Sequence, residues 1–353
     1  MTLLSETPHT RFAASDFAPQ PAEARGLERD EVRLLVGTPD GLAHARFRDL
    51  PHHLHAGDVL VVNTSATVNA EIDAAVDDRS VVLHVAHHLE DGDRVVEVRT
   101  APDAGRAVLD RSPGDVVRVG DVRLVLRAPW PGEASSPTGS GNRLWRASVH
   151  GDLDRRLAWN GRPIAYGYLD HRYPLADYQT VFGMHPGSAE MASAGRPFTP
   201  GLVTRLVTAG IQLAPVTLHT GVSSQEAGEA PGPEWFEVPP TSARTINVAR
   251  ENGGRVIAVG TTATRAVESS VLGRHVVASR GWTSRVVTPA QPPRVVDGLV
   301  TGWHDPMASH LLLVEAVAGE RLTQAAYDAA VAEGYLWHEF GDSALLVGRS
   351  GPR

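Results

Sequence analysis

Residues 255–269 read RVIAVGTTATRAVES. Val256 to Val259 form an unbroken apolar run, which suits a strand buried on both faces of a parallel sheet. Gly260, Thr261 and Thr262 follow, and Ala263, Ala266 and Val267 then share one face at helical spacing. A hydroxyl at a helix entrance can cap its free amides. Those amides, with the positive end of the helix dipole, also favour a carboxylate or another anion. Arg265 and Glu268 fall within the first turns, where both can point to the mouth. Arg265 has the planar fork that grips a carboxylate, and Glu268 can pair with it at i, i+3. An ordinary strand-to-helix connection, with Gly for close packing and Thr as cap, is the alternative.

The 353 residues suffice for two domains, or for one large domain with an insertion. No stretch has the apolar length needed to span a bilayer. The start, MTLLSETPHTRF, lacks the basic and apolar segments of a secretory signal, so the chain reads as cytoplasmic. Cysteine is absent, which excludes disulfides, thiolate-bound zinc and a cysteine nucleophile. All 33 basic residues are Arg, which excludes a lysine Schiff base and a Walker-type phosphate loop. A net charge of −8 gives no global attraction to nucleic acid. The sequence carries no signal of an oligomeric state.

Residues 1–28, rich in Ala, Pro and charge, read as a mobile arm or an irregular edge segment. Val32–Val36 and Ala43–Phe47 read as short strands around a Thr-Pro-Asp-Gly turn, and Asp58–Asn63 as a buried strand. From about Ala70 to Gly151 short alternating segments, separated by Asp-Gly and Pro-Gly turns, predict a small antiparallel barrel. Pro131–Asn142 reads as a flexible loop within it. After Gly151, strands at 211–219, 256–259, 275–278, 295–300 and 344–347 alternate with helices at 200–209, 241–252, 263–269, 308–317 and 322–332. That pattern predicts an α/β fold with a mostly parallel sheet flanked by helices. The domains are expected as 1–69 with 151–353, interrupted by a barrel at 70–150. Ligands in such sheets bind beyond the carboxyl ends of the strands, where Asn63, His219, Thr261, Thr262 and His304 would collect.

His219 and His304 each follow an apolar strand. Either is a proton-transfer group with a suitable pKa or a hydrogen-bonded structural residue. Asp297 and Asp342 each adjoin a Gly and are turn formers or partners for ribose hydroxyls. Alternation along 81–88 places His84 and His88 on one barrel face and His87 on the other. The spacing offers no supported metal site.

The segment VIAVGTTATRAVES resembles the GTTxxRxxES signature of S-adenosylmethionine:tRNA ribosyltransferase-isomerases, enzymes of the queuosine pathway. RLLV (33–36), FRDLP (47–51), GDVLVVN (57–63), YQTVF (178–182), VTLH (216–219), VVDGLVT (295–301) and FGD (340–342) are similar to further family motifs in the same order. The resemblance implies an α/β domain with an inserted barrel. It implies transfer of the ribosyl part of S-adenosylmethionine to 7-aminomethyl-7-deazaguanine in tRNA, where it becomes an epoxycyclopentanediol as adenine and methionine leave. S-adenosylmethionine is then a substrate, and no cofactor or metal is required. The expected catalytic residues are His304, His219 and Glu268. The expected substrate-binding residues are Gly260, Thr261, Thr262, Arg265, Asp297, Asp342, Tyr178 and Asn63.

The chain also departs from the family. After Asn63 the family continues Asp-Thr-Arg-Val-Ile-Pro-Ala-Arg, and this chain has Thr64 to Glu71, losing two Arg and one Asp. Arg196 and Pro197 stand where the family has Leu-His, Gly232 and Pro233 where it has His-Ser, and Met307 and Ala308 where it has Lys-Ser. The donor site is therefore better kept than the acceptor site, and tRNA binding is expected to be weakened. Trp235, Phe236 and Trp303 are candidates to stack on a base or to pack internally. The rival readings are a paralogue using S-adenosylmethionine with another acceptor or as a lyase, and a non-catalytic protein that binds S-adenosylmethionine or a nucleoside.

Overall fold

The structure, a computed structural model, describes residues 6–13, 15–132, 141–222, 229–306 and 308–348. Most of the loop expected at 131–142, and Met307, lie outside the described residues.

Nine strands form the main sheet, in the order Ser279–Thr283, Glu234–Val238, Gln212–Leu218, Val59–Asn63, Val256–Val259, Gly298–Gly302, Ser343–Val347, Arg33–Thr38 and Gly41–Arg46. The four central strands, Gln212–Leu218 to Gly298–Gly302, are mutually parallel, and Arg33–Thr38 is parallel to Ser343–Val347. The other neighbours are antiparallel, so the sheet is mixed around a parallel centre. The apolar runs have a direct cause. Val59 and Val61 face a core with helices Pro240–Glu251, Gly260–Ser269, His310–Ala318 and Glu320–Ala332, while Leu60 and Val62 face a second core with Phe47, Phe198, Leu202 and Leu206. Each such side chain contributes roughly 1.5–3 kcal/mol by leaving water.

Two strands of this sheet, Glu234–Val238 and Ser279–Thr283, fall where the sequence suggests loop or no element. Trp235 and Phe236 therefore sit in a strand, with Phe236 buried in the first core. The strand expected at 275–278 shrinks to His275–Val276, which pairs with Val271–Leu272 outside the main sheet. The N-terminal segment is no mobile arm where described. The backbone amide and hydroxyl of Thr10 donate to Glu315 at 2.7 and 2.6 Å, and Ala18 N–H donates to Trp337 O at 3.0 Å.

Six antiparallel strands between Glu71 and His150 close into a barrel. Its apolar interior includes Leu83, Val96, Val98, Leu124 and Trp145. A register shift between Val85 and His87 breaks the alternation expected along Arg79–His88. A bulge of this kind rotates the following residue relative to its predecessors. His84 and His87 are both buried as a result, and His88 is exposed. Barrel and sheet meet through an aromatic contact: Trp282 of the sheet edge lies 5.4 Å from His87 and 5.8 Å from Trp130.

Inside the barrel wall, His84 Nε2 lies 3.1 Å from Glu71 and its Nδ1 3.5 Å from Glu97. Glu97 also accepts from Arg99 at 2.8 Å and Arg143 at 3.2 Å. Burial alone would raise the Glu97 carboxyl, but the His84 contact and the two guanidiniums outweigh it and hold it at about 2. Burial would lower His84, and its two carboxylates raise it instead. A raised folded-state pKa gives stability that is full below the unfolded value of 6.5 and lost as pH rises through the folded value. His84→Gln is accordingly expected to lower stability more at about pH 6 than at about pH 9, as measured by denaturant unfolding of both proteins. An equal loss at both values would show that His84 is buried neutral.

Candidate active site

Asn63, Leu218, Val259 and Gly302 end the four central parallel strands at one edge of the sheet. A cavity of about 620 Å³ opens there, between the sheet and the barrel. Its floor is the start of the Gly260–Ser269 helix, with Gly260, Thr261, Thr262 and Arg265 in the lining. Gly260 turns at φ +89°, and a Cβ there would meet that of Ala194 at 3.3 Å, so the site keeps a residue without a side chain. The helix begins at Gly260 itself and no side chain caps it. Thr261 and Thr262 thus lie inside the first turn rather than at its cap. Asn63 donates to Thr262 Oγ1 at 3.2 Å and to Leu218 O at 2.9 Å, which fixes the mouth without Asn63 lining the cavity. Uncapped amides at a helix start are a site for an anion.

His304 lines the cavity from the loop after Gly302. Its Nε2 is 3.0 Å from Thr301 Oγ1, and its ring stacks on His310 at 5.0 Å and 12°. Burial, with His310 and His338 nearby, holds the His304 imidazole well below its ordinary value, and His310 at about 4. Both are neutral at pH 7. The barrel contributes His84, His87, Arg99 and Arg143, and Tyr166, Tyr168, Glu190, His338 and Glu339 close the remaining side.

A family profile described as "Queuosine biosynthesis protein" matches residues 11–346. An S-adenosylmethionine:tRNA ribosyltransferase-isomerase from Heliobacterium modesticaldum is 34% identical over 344 residues, covering 94% of this chain and 96% of its own. One from Thermus thermophilus is 35% identical over 354 residues, covering 93% and 96%. The crystal structure of S-adenosylmethionine tRNA ribosyltransferase from Thermotoga maritima aligns with a TM-score of 0.51 at 27% identity, over 94% of this chain and 96% of that one. The chain belongs to the S-adenosylmethionine:tRNA ribosyltransferase-isomerase family.

Several of the residues expected to bind or react make contacts within the scaffold, and most of them do not line the cavity. Glu268 is fully buried, and its carboxylate accepts from the backbone amides of Arg294, Val295 and Val296 at 2.8, 2.8 and 3.0 Å. It does not pair with Arg265 and lies outside the cavity lining. Arg265 pairs with Glu234 and donates to Arg285 O at 3.0 Å and Gly232 O at 2.9 Å, so its fork is committed within the protein. Asp297 accepts from Val256 N–H at 2.9 Å, and Asp342 accepts from Arg33 and from Leu336 N–H. Tyr178 is buried against Phe340, with ring centroids 5.3 Å apart. None of these three lines the cavity. His219 stands at its strand end but turns away, with Nδ1 2.7 Å from Ser65 Oγ and its ring stacked on Trp235 at 5.2 Å. Burial holds it at about 4.

The residues that depart from the family also have structural places. Glu71 is buried in the barrel network and paired with Arg162 at 2.6 Å and Arg172 at 2.8 Å. Arg196 pairs with Glu23 of the N-terminal segment at 3.0 Å. Trp303 is buried and packs edge-on against Tyr327 and Tyr335, at 5.0 and 5.7 Å. His310, His338, Glu190 and Glu339 are cavity residues that the sequence reading did not single out.

Proposed function

We propose that the cavity over Gly260 is where the family reaction takes place: transfer of the ribosyl moiety of S-adenosylmethionine to 7-aminomethyl-7-deazaguanine in tRNA, with loss of adenine and methionine. The observation that carries this reading is the uncapped start of the Gly260–Ser269 helix opening into a cavity where His304 and His310 are both neutral. The amides of Gly260 to Thr262 would bind the donor's carboxylate, because aligned N–H groups and the helix dipole both favour an anion. Thr262, held by Asn63, would present its hydroxyl to the donor. His304, neutral and within the cavity, is the group to take the proton next to the sulfonium. Its conjugate acid, destabilised by burial, then readily gives a proton to the departing adenine.

tRNA is the acceptor on this reading, recruited by local Arg side chains in spite of the net charge of −8. Adenine release should therefore rise when tRNA carrying the aminomethyl base is added, and that stimulation should fall steeply with salt as phosphate contacts are lost. The assay is adenine release from S-adenosylmethionine with and without that tRNA, at low and moderate salt. Equal release without RNA would replace tRNA with a small-molecule acceptor or a lyase reaction. No release under any condition, with binding retained, would leave a sensor of S-adenosylmethionine.

A further inference from the structure

We infer that the cavity wall formed by Glu190, Glu339, Tyr166 and Tyr168 is a subsite for an organic cation carried by a substrate. The inference rests on the functional reading above and adds to it the residues that receive positive charge. Its starting point is an imbalance. Glu97, Asp58, Glu71 and Glu234 are carboxylates withdrawn from water, and each is matched by arginine: Arg99 and Arg143, Arg255, Arg162, and Arg265. Glu339 has no ion pair among the described residues, and its Oε2 is buried without a hydrogen-bond partner. Burial, then the neighbouring Glu190 carboxylate, push the Glu339 carboxyl well above its ordinary value.

Among the described residues no cation forms an ion pair with Glu339. Arg196 is in electrostatic range but is committed to Glu23 at 3.0 Å and to Asp177 O at 2.9 Å. His304 and His310 are kept neutral by burial, so neither supplies a positive charge. Glu190 shares a hydrogen bond with the Tyr166 hydroxyl, and its charge beside Glu339 opposes ionisation of Glu339 until a cation arrives. The tyrosines suit the same guest: Tyr166 and Tyr168 stack at 5.7 Å and 6°, and aromatic faces attract cations.

Two further features mark this region as awaiting a ligand. Trp303 lines the cavity at 1% exposure, yet its Nε1–H has no acceptor among the described residues. A buried donor without an acceptor is costly, and the oxygens of a substrate, not its cationic group, would supply one. His338, immediately before Glu339, adopts φ +67°, a left-handed conformation that non-glycine residues rarely take. That backbone presents Glu339 to the cavity.

The reaction brings three organic cations to this space: the donor's sulfonium, the donor's α-ammonium and the acceptor's aminomethyl group. The test uses Glu339→Gln and Glu190→Gln, which keep shape and remove charge. Glu339→Gln should unfold at no lower denaturant than wild type, because it removes an unmatched carboxyl. Affinities for S-adenosylmethionine and for S-adenosylhomocysteine, which lacks the sulfonium charge, are measured by calorimetry, and KM by tRNA-dependent adenine release. A loss of about tenfold or more is expected in one of them. Loss for S-adenosylmethionine alone assigns the sulfonium, and loss for both ligands assigns the donor's ammonium. A raised KM for tRNA with unchanged donor binding assigns the acceptor amine. Both variants folded, with every parameter within about twofold of wild type, would overturn the inference and leave the functional reading standing. A wild-type protein that binds no S-adenosylmethionine would defeat both.

Discussion

His304→Ala is expected to slow adenine release from S-adenosylmethionine by about a hundredfold or more, the usual contribution of a general acid–base group, with donor affinity changed only a few-fold. The imidazole lines the cavity and is held neutral by burial and by His310 and His338, so its ring can accept a proton at pH 7. Its Nε2 contact with Thr301 Oγ1 at 3.0 Å fixes the ring's orientation. The donor's carboxylate is assigned to the amides of Gly260 to Thr262, which is why rate and affinity should separate. Single-turnover adenine release and calorimetric titration read the two quantities. A variant with full rate would pass the role to His310, the ring stacked against it.

Arg265→Ala is expected to act on stability first. The side chain is buried against Glu234 and donates to two backbone carbonyls, at 3.0 and 2.9 Å. Removing one member of a buried ion pair strands the other and costs about 3–5 kcal/mol. Arg265→Lys keeps the charge but not the fork, so it should fall between wild type and the alanine variant. Denaturant unfolding of the three proteins measures the order. Unchanged unfolding with donor affinity weakened by tenfold or more would return Arg265 to the role of carboxylate ligand.

The barrel, the α/β alternation and the Gly260 mouth were legible in the sequence because each depends on local pattern. Val256–Val259 and Val59–Asn63 are apolar throughout since both faces of the sheet are covered. The missing part of the site has a topological cause. Ser343–Val347 runs antiparallel to Gly298–Gly302, pairing Gly302 with Ser343, so the residues before that strand reach the cavity. A parallel reading looks only at residues after strands, and it passes over His338 and Glu339. Glu234 is similar: it starts a strand antiparallel to Gln212–Leu218, and so arrives beside Arg265.

Polar residues in family motifs posed a different problem. Glu268, Asp297 and Asp342 have the residue type of catalytic groups, but their oxygens accept backbone amides that set helix and strand positions. Sequence gives the type and not the partner. The signal that could have found Glu339 is charge balance, and it appears only once Arg196 is seen to be paired with Glu23.

The chemistry proposed for this cavity joins the ribosyl group of S-adenosylmethionine to an aminomethyl base in tRNA. The most direct measurement is mass spectrometry of nucleosides from tRNA bearing 7-aminomethyl-7-deazaguanine, after incubation with the protein and S-adenosylmethionine. The modified base is expected to gain the epoxycyclopentanediol group, with adenine appearing in equal amount. Adenine formed while the base keeps its original mass would contradict this chemistry.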